Sequence, residues 1–307
     1  MKITRREFTK RLGGVGAGSV LALAGCNSQE GGKALSETPP EKRSTDGHNK
    51  LRRLGQTDLA LSRVGFGAQH TQDADLIRYA LDQGMNHIET SWLYGMGGPR
   101  NSSKFIGKAI AGRRDSVCLA VAYEAMIPPG NKRWLPNQFE QTLRDLGTDH
   151  IDVFLWHHPG DQMSTPQPTL KESQAVITAG ERVDLMLKWK AQGKIRWCGV
   201  TFHSEQAEWL NYVAESGLYG VAVVAFNYQS PKKIADAMQQ ASRKGIGLIA
   251  MKTQSPNYLN TAVIGDAPDH RKALDWVLSK DYITAAIPGM TTRSQVDLNL
   301  QAMSSAP

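Results

Sequence analysis

The side chains able to do chemistry fall at or just after the ends of short apolar runs of the chain. They include Gln69 and His70, Glu89 through Tyr94, Tyr123, His157 and His158, Thr201 through His203, Asn227 through Gln229, and Lys252. This set is rich in proton-transfer groups and amides, and it suits acid–base work on a small molecule. His157, His158 and Glu89 together invite a metal site. Adjacent strand residues point to opposite faces, so no metal is expected there. The Pro288–Met290 turn leads into a helical stretch whose first backbone amides suit a phosphate, with Arg293 beside them. An ordinary helix start with a surface arginine is the plainer alternative.

Such residues need a scaffold, and the sequence describes one. From residue 51 apolar β-type runs alternate with helical patterns. The runs are Val64–Gly67, His87–Thr90, Val117–Ala122, Ile151–Trp156, Arg196–Thr201, Val221–Phe226, Ile246–Lys252 and Thr284–Ile287. Helices are predicted near Asp73–Gln83, Ser102–Ala111, Asn137–Leu146, Ser173–Gln192, Glu205–Glu215, Pro231–Lys244, Pro268–Lys280 and Arg293–Met303. Gly84, Gly193, Gly217 and Gly245 stand where helices should stop. Runs such as Val221–Phe226 are apolar throughout, as in a parallel sheet covered by helices. Eight such units predict an α/β protein with a (β/α)8 TIM barrel, whose chemistry sits at the C-terminal ends of the strands. An open doubly wound sheet would show a glycine-rich loop after its first strand, and none follows Val64–Gly67.

Composition agrees. The chain has 307 residues, 40% hydrophobic and 21% charged, which excludes a mainly disordered or fibrous protein. Three cysteines, Cys26, Cys118 and Cys198, are too few for a disulfide scaffold. Cys118 and Cys198 lie on strands with another between them, beyond disulfide reach, and read as small core residues. The net charge of +7 taken alone would suggest a nucleic-acid partner. Residues 1–26 carry five basic groups and one acid, and residues 27–50 four of each, which leaves only +3 on residues 51–307. No nucleic-acid partner is expected.

The N-terminal charge has its own meaning. Thr4-Arg5-Arg6-Glu7-Phe8-Thr9-Lys10 has the twin-arginine pattern, and an uncharged stretch follows from Leu12 to Gly25. That stretch is too short to cross a bilayer comfortably and fits a twin-arginine export signal. Leu23-Ala24-Gly25-Cys26 resembles a bacterial lipobox, which implies lipidation at Cys26; plain cleavage is the alternative. Residues 27–50 are polar, contain Pro39-Pro40, and read as a disordered tether. The expected organisation is a signal peptide at 1–26, a tether at 27–50 and a barrel at 51–307. The expected partners are the export machinery and, through Cys26, the membrane. The expected location is the periplasmic side of a bacterial membrane.

At its strand ends the barrel resembles the aldo-keto reductases. The stretch Leu54 to Gly67 is similar to that family's first hairpin and strand, and Gly84 to Ser91 with Tyr94-Gly95 to its second-strand signature. Asp145 to Pro159 is similar to its fourth strand, Gly193 to Thr201 to its fifth, and Ile287-Pro288-Gly289-Met290 with Asn299 to its eighth. The resemblance implies an oxidoreductase that moves hydride between NADP(H) and a small carbonyl or alcohol. It implies Tyr94 as proton donor, His157 as the group that orients the substrate oxygen, and Glu89 where the family has Asp. Thr201, Lys252, Gly289, Thr291, Arg293, Gln295 and Asn299 fall at or near cofactor positions. Trp92, Trp156 and His158 are candidates for the substrate pocket, with packing as the alternative for the tryptophans. The loop Pro128–Trp134 lies on the same face and could cover a substrate.

The family's lysine is missing: its position aligns with Ala122. Without an ammonium there, Tyr94 is a weak acid at neutral pH, and Lys252 is the one candidate on this mouth to replace it. Phe202 stands where an Asn usually holds the nicotinamide. These departures leave two other readings open, a barrel that binds without catalysis and a non-redox enzyme acting on a sugar-like substrate. A longer C-terminal loop that shapes specificity in relatives is expected to be absent.

Overall fold

The computed structural model describes residues 51–95, 101–124, 134–157, 170–254 and 267–305. The twin-arginine segment, Cys26, the tether, His158 and most of the Pro128–Trp134 loop lie outside these residues.

Eight parallel strands form the sheet, each paired with its sequence neighbour. They are β3 (Phe66–Gly67), β4 (His87–Ser91), β5 (Cys118–Glu124), β6 (Ile151–His157), β7 (Ile195–Phe202), β8 (Val221–Ala225), β9 (Gly247–Met251) and β10 (Ala285–Ala286). Parallel bridges Val64↔Ala286 and Gly67↔Gly289 join the first strand to the last. Gly65 N–H donates to Ala286 O at 2.8 Å and Ala286 N–H to Arg63 O at 2.9 Å, which closes the ring. The buried Arg63 guanidinium donates to the carbonyls of Leu278, Ile283 and Thr284 and stitches the same seam.

The strand runs fold as a barrel because alternate residues face two separate cores. Ala120, Ala122, Val153, Leu155, Val223 and Ile249 fill the interior. Tyr123, Phe154, Trp156, Val200 and Phe202 face outward, under the helices. There Tyr123 stacks on Phe154 at 5.0 Å and Phe139 on Trp189 at 4.0 Å. A short hairpin, β1 (Arg52–Arg53) with β2 (Ala60–Leu61), precedes the ring. Its Leu54, Leu59 and Leu61 join the interior core and plug the N-terminal end. Gly55 makes this possible. At φ 56°, a Cβ there would lie 2.3 Å from the Gly247 nitrogen.

The helices are α1 (Ala74–Asp82), α2 (Ser102–Ile110), α3 (Trp134–Leu146), α4 (Leu170–Thr178), α5 (Glu181–Ala191), α6 (Gln206–Ser216), α7 (Lys232–Arg243), α8 (Ala267–Leu278) and α9 (Arg293–Ser305). Helix α1 shows how local chemistry sets them. The Asp73 carboxylate accepts from the Asp75 and Leu76 amides at 2.8 and 3.2 Å, a cap worth about 1 kcal/mol. Leu76, Ile77, Ala80 and Leu81 then form its buried face, and Gly84 at φ 99° ends the turn. The single helix predicted over Ser173–Gln192 is two helices. Gly180 at φ 84° breaks it, a left-handed conformation that Gly adopts at little cost.

At the N-terminal end a charged network ties strands together. Asp152 accepts from Arg114 at 2.9 Å, Arg196 at 2.6 Å and the Leu119 amide at 2.9 Å. Arg196 also reaches Asp58 at 2.8 Å, beside the Trp197 indole N–H at 2.6 Å. Cys118 and Cys198 carry free thiols on β5 and β7, with β6 between them. Burial pushes both thiols up, Cys198 to about 11, so neither is a thiolate at neutral pH.

Candidate active site

The C-terminal ends of the strands and the loops after them carry most of the expected residues. Glu89 lies on the inward face of β4 and is buried. Two residues on, Ser91 builds the turn that follows. Its hydroxyl donates to Ala122 O at 3.2 Å and accepts from the Leu93 amide at 3.2 Å. Its carbonyl accepts from the Tyr94 amide at 3.0 Å. Tyr94 O in turn accepts from the Ser102 amide at 3.1 Å, so the start of α2 fixes the Tyr94 backbone just beyond β4. The Tyr94 side chain is half-buried.

Burial raises the Glu89 carboxyl to about 7, against opposing pulls from His157 and Lys252. Glu89 lies in β4, His157 ends β6 and Lys252 follows β9, all at the C-terminal side of the sheet. Lys252 follows β9 with φ 54°, a left-handed backbone that is rare outside glycine. Asn227 Nδ2 donates to Lys252 O at 3.2 Å and holds it there. From this position the ammonium donates to Gln69 Oε1 at 3.2 Å. Lys252 thus spans from β9 past β10 to the residues after β3. Burial and the Lys252 charge hold His70 below its ordinary value.

His157 ends β6 with its Nδ1 2.9 Å from Glu124 Oε1. The pair is partly screened, with side chains 16% and 23% exposed. Glu124, His157 and Thr201 lie side by side in register across β5, β6 and β7. The His203 ring meets the His157 ring edge-on at 5.2 Å. Sequence reasoning named His203 among the strand-end side chains without a role for it, and did not single out Glu124. Extending the inward alternation Ala120, Ala122 by one further step finds Glu124.

The family model described as "Aldo/keto reductase family" matches residues 63–272. This chain belongs to the aldo/keto reductase family. It is 22% identical over 296 residues to the "Uncharacterized oxidoreductase YqkF" of Bacillus subtilis, covering 82% of this chain and 90% of that one. It is 21% identical over 309 residues to the "L-glyceraldehyde 3-phosphate reductase" of Escherichia coli K12, covering 84% and 88%. The solved structure of an aldo-keto reductase from Klebsiella pneumoniae in complex with NADPH shares the fold. Its TM-score is 0.65 at 23% identity, over 84% of this chain and 91% of that one.

In this aldo/keto reductase the corner between β10 and α9 is built from the other expected residues. Gly289 pairs with Gly67. Thr71 Oγ donates to Met290 O and ties the loop after β3 to the same turn. Gln295 Oε1 accepts from the Thr291 amide at 2.7 Å and its hydroxyl at 3.1 Å, while the Gln295 amide donates to Thr292 Oγ at 3.3 Å. This reciprocal cap fixes the first turn of α9. Arg293 stacks over the Tyr79 ring at 4.9 Å, and Tyr79 donates to Asp297 at 2.6 Å. Asn299 is buried, and its Oδ1 accepts from Gln254 Nε2 at 2.8 Å, which links α9 to the end of β9.

Two expectations change. Trp156 is fully buried on the outward face of β6, edge-on to Phe154 at 4.7 Å, and lines no substrate pocket. It alternates with His157, so the two cannot share a face. Trp92 is half-buried and packs against the same outer layer. Phe202 also faces outward, fully buried and stacked on Trp209 at 6.2 Å, so it does not obstruct the mouth. The inward position beside it is Thr201, buried, with its hydroxyl on Met251 Sδ at 3.8 Å. Among the described residues no three His, Cys, Asp or Glu side chains converge to hold a metal ion.

Proposed function

We propose that this aldo/keto reductase is an NADP-dependent oxidoreductase that interconverts a small carbonyl and its alcohol. One observation carries the reading: buried Glu89 stands on the inward face of β4, and His157 lies in register between Glu124 and Thr201 on β5 to β7, at the strand ends where the resemblance expects the chemistry, although the family's lysine position aligns with Ala122. The donor set fits a dinucleotide phosphate. It comprises the Arg293 guanidinium, the backbone amides of the first turn of α9 that the cap does not use and the inward Thr201 hydroxyl. Thr253 adds a fully buried hydroxyl beside Lys252 with no hydrogen-bond partner among the described residues. Thr201, Gly289, Thr291, Arg293, Gln295 and Asn299 would hold the cofactor.

When bound, the nicotinamide supplies or accepts the hydride. The chain's own residues handle the proton and the geometry. Tyr94 gives a proton to the developing alkoxide, and His157 orients the substrate oxygen. Lys252, with its ammonium on Gln69, supplies part of the positive charge that the family places at the Ala122 position. General acid assistance of this kind is worth about 10²–10⁴ in rate. Glu89 near neutrality balances that charge.

The same reading places the enzyme outside the cytoplasm, exported folded by the twin-arginine route and anchored through Cys26. The Arg5-Arg6 pattern and the Leu23–Cys26 lipobox support this. No ready NADPH pool exists there, so the cofactor travels with the folded barrel and is held tightly, or another hydride donor serves. Thermal unfolding of the purified full-length chain with and without NADPH tests the reading. A rise in melting temperature with saturating NADPH is expected, and no rise would remove the cofactor. The Ala122 methyl favours one competitor, a barrel that binds without turnover. That reading requires NADPH binding with no carbonyl consumed.

A further inference from the structure

We propose that Glu124 is the positioning residue that makes His157 a proton donor, and so shares the acid role that Tyr94 lacks the full lysine environment to fill. This rests on the oxidoreductase reading above.

The geometry is specific. Glu124 and His157 occupy paired positions on adjacent strands, both on the inward face, with Nδ1 and Oε1 2.9 Å apart. A carboxylate there accepts the Nδ1 proton and fixes the ring's orientation and tautomer. It also favours the imidazolium over the neutral ring. The proton the ring can pass on is then the one at Nε2. Both side chains are largely shielded, so the pairing is less screened by solvent than a surface ion pair.

Among the described residues, groups on three neighbouring elements face His157. Glu124 lies on β5, His203 follows β7 with its ring edge-on at 5.2 Å, and Glu89 lies on β4. Lys252 acts on Glu89 from β9. In the reductive direction hydride reaches the carbonyl carbon while the Nε2 proton passes to its oxygen. The C=O π bond breaks, C–H and O–H bonds form, and the neutral imidazole takes a new proton from water. Nothing beyond the cofactor, the carbonyl and one proton is consumed.

The decisive readout is the histidine itself. Nitrogen-15 NMR of the full-length protein without cofactor follows the His157 titration, assigned with His157→Gln. In Glu124→Gln the midpoint is expected to fall by about one pH unit or more, and in Glu124→Asp to return towards the wild type. With NADPH and glyceraldehyde as probe, the high-pH limb of kcat/KM should move down with that midpoint in Glu124→Gln. An unchanged His157 midpoint in a folded Glu124→Gln overturns the proposal. A midpoint that falls while the rate limb stays fixed also overturns it, since the ring is then not the donor. NADPH binding, measured in parallel by fluorescence quenching, separates this failure from failure of the oxidoreductase reading.

Discussion

Glu89→Gln should stabilise the barrel above neutrality and leave it nearly unchanged in acid. Glu89 is buried on β4, and burial lifts its carboxyl from an ordinary 4.5 to about 7. That rise corresponds to about 3 kcal/mol of cost when the carboxylate is ionised. The folded state holds the proton more tightly than the unfolded chain does. Wild-type stability is therefore greatest on this account below about pH 4.5, falls as pH rises towards 7, and is level above it. Glutamine has the same shape and no charge, so the variant lacks this decline. At pH 8 it should exceed the wild type by about 3 kcal/mol, and at pH 5 by a small fraction of that. For a domain of this size the gain equals about 5–10 °C in melting temperature. Urea or thermal unfolding of both proteins at several pH values between 5 and 8 measures it. A variant whose stability tracks the wild type in parallel across that range would refute the assignment of burial as the dominant influence on Glu89.

Lys252→Met removes a positive charge that opposes the rise at Glu89. The decline in stability should then extend to higher pH, and turnover should fall by about 10²-fold or more, read from unfolding curves and initial rates. Asp152→Ala leaves Arg114, Arg196 and the Leu119 amide without their shared acceptor. It should cost about 3 kcal/mol in denaturant unfolding, the low end for a buried pair because Arg196 is partly exposed. Gly65→Ala would put a methyl 2.1 Å from His87 Nε2, on a ring that is fully enclosed. A loss of about 1–3 kcal/mol is expected, visible as a lower melting temperature.

The barrel was legible because its strands are continuous apolar runs and its helices end at glycines. Gly84, Gly193, Gly217 and Gly245 all have the positive φ that a helix stop requires. Gly180 has it too, but it sits inside a helical pattern, so the break between α4 and α5 did not stand out. Glu89, Tyr94 and His157 are expected as site residues because each lies at or just beyond the end of a barrel strand. Trp156 could be misread because a strand-end aromatic looks the same whichever face it takes. Only the alternation Leu155 inward, Trp156 outward, His157 inward decides it. The same alternation turns Phe202 away from the mouth and gives the inward place to Thr201. Glu124 carries no such mark, because the apolar run ends at Ala122, two residues short of the end of β5. The left-handed backbone of Lys252 has no sequence signature at all. Its carbonyl accepts from Asn227, which lies 25 residues earlier in the chain.

Hydride transfer itself is the most direct test of the account. The full-length protein is incubated with glyceraldehyde and NADPH deuterated at its transferable position, and the product alcohol is examined by mass spectrometry. One deuterium on the former carbonyl carbon is expected, with a rate that collapses in Tyr94→Phe combined with His157→Gln. Product that forms without deuterium, or a bound but unconsumed NADPH across a panel of small aldehydes, would contradict it.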